Sequence, residues 1–219
     1  PIIIIGYGFI FCKIFFGNKN NQYNLGFLGL MGFLTLYFIS SLFHFFYKFS
    51  NINILAIQVI GILLFFYNLI KNQLKSGDIF KLLILSILLL PLAIIVESNE
   101  DFFHYYLPYI KYLESSKIIF GLVNINDTLA YSSNSLYDIL IFFKYPFFYK
   151  NSYSIPILFF YIFLIIFILN KIIKTKDVFY FFILVLSVIA FSSLRDFGTS
   201  IPPQLILIMC GVLIYECII

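Results

Sequence analysis

The chain has 219 residues, of which 62% are hydrophobic and only 11% charged, with a mean hydropathy of +1.02. Water-soluble domains carry about 25% charged residues, so a chain this apolar cannot clothe its surface in polar groups, and lipid must be part of its solvent. The formal net charge of +4 comes from lysines spread among short loops rather than gathered in a patch, which excludes a nucleic-acid partner.

Seven apolar runs approach the roughly 20 residues that a bilayer core of about 30 Å demands of a helix. In chain order they are Pro1–Phe16, Leu25–Tyr47, Ile52–Ile70, Ile79–Val96, Ser154–Asn170, Val178–Leu194 and Ile201–Ile219. Period-two alternation, the mark of a barrel strand, is absent from them, and helix satisfies every backbone group without water. The expected fold is therefore all-α, a polytopic bundle of about seven spans. Since the sequence opens and closes inside apolar runs, it reads as a piece of a longer protein. Residues 1–96 form an N-terminal set of about four spans, 97–153 a long loop, and 154–219 a C-terminal set of about three. Cys12, Cys210 and Cys217 lie in apolar runs without metal-ligand spacing and read as buried free thiols.

Orientation follows from the lysines. With the long loop outside, the inner side holds Lys13, Lys19, Lys71, Lys75, Lys81, Lys171, Lys174 and Lys176. The outer side holds Lys48, Lys111, Lys117, Lys144, Lys150 and Arg195, but four of these lie in the long loop, where the rule is weak. The long loop is accordingly assigned to the non-cytoplasmic side. It also carries Glu97, Glu100, Asp101, Glu114, Asp127 and Asp138, six of the ten acids.

Within that loop, Phe103, Tyr106, Ile110 and Leu113 recur at helical spacing, with Asp101, His104, Pro108, Lys111 and Ser115 on another face. This pattern predicts an amphipathic helix lying on the membrane, starting near Leu107 with Pro108 in its first turn. The stretch Lys117–Ser135 is rich in Asn, Ser and Gly and can present hydrogen-bonding groups to a polar ligand. A second surface helix is expected through Leu136, Ile139, Leu140, Phe143 and Phe147. His44, Asn68 and Glu216 sit near span ends, where each can reach an interface.

The run Glu100-Asp101-Phe102-Phe103-His104-Tyr105-Tyr106-Leu107-Pro108, then Ile119–Asn124, then Tyr131–Ser135, resembles the outer loop of a family of largely uncharacterised bacterial membrane proteins. Its layout, a carboxylate cluster after an early span followed by a surface helix, is similar to the GT-C membrane glycosyltransferases. The resemblance covers about 40 loop residues. It implies transfer of a sugar from a polyprenyl-phosphate donor on the periplasmic face of the bacterial inner membrane. Asp101 or Glu100 would act as base toward an acceptor hydroxyl or hold a divalent cation at the donor phosphate. His104, Asn124, Asp127 and Asn134 would bind substrate, and Lys111 or Arg195 would meet the phosphate charge. Asp-x-Asp is replaced here by Glu97-Ser-Asn-Glu-Asp101, which leaves the metal open. Plainer readings stand beside each: a solvated helix exit for the acids, an interfacial aromatic for His104, turn formation for Asn124 and Asp127, and a helix cap for Tyr131–Ser135. A transporter or lipid flippase, and a non-catalytic assembly subunit, are the competing functions. Oligomeric state is not readable from the sequence.

Overall fold

A computed structural model describes residues 1–17, 23–71, 74, 76–94, 111–112, 115–117, 155–192 and 208–212. Side chains are described for fewer residues inside α4 and α6 and at the start of α5, as named below. The described residues are helical, with no strand among them. Six long helices are α1 (Ile2–Phe16), α2 (Leu25–Phe46), α3 (Asn51–Ile70), α4 (Ser76–Ile94), α5 (Ile155–Thr175) and α6 (Val178–Ser192). Among the described residues, three segments are long and apolar enough to cross a membrane: Leu25–Phe46, Asn51–Ile70 and Leu158–Thr175. Ile2–Phe16 and Val178–Ile189 are shorter apolar helices.

Helix starts are set by small polar side chains. Asn24 caps α2 by accepting from the Gly26 N–H at 2.9 Å, and Ser50 caps α3 by accepting from Asn53. Asp177 accepts from the Phe179 N–H in the same way at the head of α6. Two boundaries depart from the apolar pattern. The expected loop Lys71–Asp78 is shorter, because Ser76, Gly77 and Asp78 already belong to α4, where Asp78 pairs with Lys81 three residues on. The expected loop Lys171–Asp177 shrinks too, because α5 continues to Thr175, whose hydroxyl donates to the Lys171 carbonyl.

Glycines set the helix order. α1 packs on α2 and α3, α2 on α5, and α5 on α4 and α6. Gly8 lies against the Leu28 carbonyl and Gly32 against the Ile4 carbonyl, so α1 and α2 run antiparallel with backbones touching. On its other flank α2 offers Gly26 to the Phe163 carbonyl and Phe167 amide, and Gly29 to the Phe163 ring. A Cβ at any of these positions would overlap its neighbour. In lipid, where apolar burial drives association weakly, close backbone approach of this kind is a principal source of helix–helix attraction. The core is correspondingly centred on α1, α2 and α5, with Ile4, Leu28, Leu36, Phe163, Leu164 and Ile166 almost wholly enclosed.

The outer faces are apolar as well. Phe38, Leu42, Leu63, Phe66, Leu83, Ile87, Phe181 and Ile189 are all exposed. A bundle greasy on both the inside and the outside is matched to hydrocarbon, not to water. Two buried serine hydroxyls donate within their own helices, Ser40 to the Tyr37 carbonyl and Ser187 to that of Leu184, whereas the Tyr7 hydroxyl of α1 donates across to the Ile57 carbonyl of α3. Cys12 is buried as expected, whereas Cys210 is exposed; Cys217 lies outside the described residues.

Candidate functional site

The helix contacts define two ends. At one end lie the last turns of α1, α3 and α5 and the first turns of α2 and α4. This end carries Lys13, Lys71, Lys81, Lys171, Lys174 and Lys176. The other end receives the C-terminus of α2 and the described part of the long loop.

At the loop end, His44 is fully buried and its Nε2 lies 2.9 Å from the Ser116 carbonyl oxygen. A carbonyl can only accept, so Nε2 carries the hydrogen. The imidazole also stacks on Phe49, with centroids 4.7 Å apart. His44 was expected to reach an interface through its polar tip; instead the tip is enclosed, because Ser116 and Phe49 close over it. The contact is local to the loop's first helical stretch. Lys111, Tyr112 and Ser115 are helical, and the Ser116 N–H and hydroxyl both donate to the Tyr112 carbonyl. The expected surface helix thus has helical turns over these residues, and Lys111 is exposed on it.

Of the residues singled out for chemistry, Lys111 is the one the structure describes. Glu100, Asp101, His104, Asn124, Asp127, Asn134 and Arg195 lie outside the described residues, as do the second surface helix and Glu216. Among the described residues no group of three or more His, Cys, Asp and Glu side chains could hold a metal ion.

The lysine-bearing end holds a cluster that sequence reading missed. Asp78 on α4, only 6% exposed, accepts from Lys81 at 3.3 Å and from the Asn170 side-chain amide of α5 at 3.0 Å. The same Asn170 nitrogen donates to Asn24 at the head of α2 at 3.2 Å, and Lys81 donates to the Asn170 carbonyl oxygen. Asn24 in turn donates to the Phe167 carbonyl at 3.4 Å. Three helices are therefore clasped by one polar knot in which a buried carboxylate has a cation and an amide for company. Its members are up to 146 residues apart, so no local motif announces it. The available signal was depth: Asn24, Asp78 and Asn170 all stand at span ends that the up-and-down order places on one side. Asn68, by contrast, donates to the Leu64 carbonyl of its own helix.

These features define a helical protein with helices long and apolar enough to cross a membrane and, among the described residues, charges toward the helix ends. Residues 1–219, the whole sequence, match the family described as a domain of unknown function (DUF8201), and the chain belongs to that family. No match was found among curated proteins or among solved structures.

Proposed function

We propose that this chain is a GT-C-like membrane glycosyltransferase of about seven spans in the bacterial inner membrane. It moves a sugar from a polyprenyl-phosphate donor to an acceptor at the periplasmic face. In this reading the Asp101 carboxylate, with Glu100 beside it, takes the proton of the acceptor hydroxyl as its oxygen bonds to the anomeric carbon. The bond from that carbon to the donor phosphate breaks, and the phosphate leaves with the electron pair. Lys111 and Arg195 offset the charge it gains, and His104, Asn124, Asp127 and Asn134 hold the sugars.

The observation that carries the reading is the bond from His44 to the Ser116 carbonyl. It ties the described part of the loop to the bundle, twelve residues along the chain from His104. Charge placement supports surface chemistry over transport. Within the described spans, Asp, Glu, Lys and Arg occur only within two turns of a helix end, whereas a transporter site is expected near the bilayer midplane.

The test is transfer of a lipid-linked sugar by the purified full-length protein, comparing wild type with Asp101→Asn. Loss of a general base lowers the rate by about 10²–10⁴-fold. An Asp101→Asn protein as active as wild type overturns the assignment of the base. A wild-type protein that transfers no lipid-linked sugar, yet binds a second envelope protein, makes it an assembly subunit.

A further inference from the structure

One stripe of α3 is graded along its length. Val59, Ile60 and Leu63 are exposed and aliphatic, Tyr67 is 52% exposed, and Lys71 follows on the same face one turn later. From Val59 to Lys71 the helix rises about 18 Å, close to the depth of one leaflet. The Lys71 ammonium stands 4.5 Å from the centroid of the Tyr67 ring. Lys13 is exposed on the last turn of the neighbouring α1, which runs alongside α3 with Gly6 against Gly61 and Phe65, so the two helices end at one level. Neither lysine pairs with a carboxylate among the described residues. The buried carboxylate at this end, Asp78, is occupied by Lys81 and Asn170 on the far side of the bundle.

We propose that the α1–α3 face at the lysine-bearing end binds an anionic phospholipid. Lys13 and Lys71 bracket its headgroup phosphate, the Tyr67 hydroxyl donates to a phosphate or glycerol oxygen, and an acyl chain lies along Leu63, Ile60 and Val59. Two cations, an amphipathic ring at the interface and an apolar track match the three parts of such a lipid in order. The stripe's leaflet-long apolar track commits the site to a lipid over a soluble anion, which has no use for it. The inference does not depend on the glycosyltransferase reading, since it involves the opposite end of the molecule.

Native mass spectrometry of the full chain in neutral detergent reads it directly, with phosphatidylglycerol and phosphatidylcholine as probes. Each lysine near an anionic lipid is worth about a fivefold factor, so Lys13→Gln with Lys71→Gln weakens phosphatidylglycerol binding about thirtyfold. Phosphatidylcholine binding stays unchanged. The pair Lys174→Gln with Lys176→Gln serves as the control for diffuse charge and keeps full binding. If the first double variant does not run as a monodisperse helical protein, Lys71→Gln alone is expected to show the fivefold loss. Equal loss in both double variants, equal binding of the two lipids, or displacement of phosphatidylglycerol by millimolar glycerol phosphate overturns the proposal.

Discussion

Asn170→Leu is the most informative single change in the described structure. It removes three bonds that cross between helices: the two donated by its amide to Asn24 and Asp78, and the one its carbonyl accepts from Lys81. Hydrogen bonds between helices in membranes average about 0.6 kcal/mol, so their joint loss costs about 2 kcal/mol. Little of this returns through the added Leu, because lipid is as apolar as the space it fills. Lys81 and Asp78 keep their direct contact at 3.3 Å, and Asn24 keeps its bonds to Gly26 and Phe167, which prevents the cost from rising further. The assay is reversible unfolding in mixed micelles followed by helical circular dichroism. Asn68→Leu is the comparison, since Asn68 bonds only within α3 as described, and it should change stability by less than about 0.5 kcal/mol. A double-mutant cycle of Asn170→Leu with Asp78→Asn should show coupling of at least about 0.5 kcal/mol. If Asn170→Leu is as stable as Asn68→Leu, or if the cycle is additive, the knot does not hold the three helices together.

Two further changes test other joints. Gly32→Leu drives a side chain into the Ile4 carbonyl, and a main chain cannot rotate away as a side chain can; a loss of about 1–3 kcal/mol or misassembly is expected in the same unfolding assay. Gly77→Ala meets nothing within 4 Å in α4 and should be neutral or stabilising by up to about 1 kcal/mol, so equal effects at the two glycines would refute the packing argument. His44→Ala removes the bond to Ser116 and the stack on Phe49, together about 1–2 kcal/mol, and so raises hydrogen exchange of residues 112–117 roughly tenfold. Unchanged exchange there would show that the loop is held by something else.

Much of the helical skeleton was legible because its determinants are local. An apolar run preceded by Asn24 or Ser50 carries both the reason for a span and the device that starts it, and α2 and α3 fall within a residue of their expected bounds. The errors came where a boundary was drawn at the last apolar residue. α4 begins three residues early and α5 ends five late because polar residues, Ser76 and Asp78 in the one and Lys171, Lys174 and Thr175 in the other, are helical rather than released into a loop. The polar knot was illegible because each of its members looks ordinary alone, and only antiparallel packing of α5 against α2 and α4 brings them together. His44 was misread for the same reason: what buries it is Ser116, 72 residues away. The glycines of α2 carried a signal for close packing that the apolar pattern does not register, Gly26 and Gly29 toward α5 and Gly32 toward α1, since small residues let helix backbones approach in lipid.

The two ends of the bundle are built for different work. At the lysine-bearing end, Asp78, Lys81, Asn170 and Asn24 are bonded into one network, which fixes helix positions. At the other end, His44 donates to a backbone carbonyl and stacks on Phe49, and the helical stretch it contacts leaves Lys111 exposed. In the proposed reading, the bond from His44 to Ser116 ties the described part of the loop to the bundle, as reacting groups need a fixed support. Weakening the knot should lower stability while the bond from His44 to Ser116 persists, whereas replacing His44 should free the loop in a bundle that remains assembled.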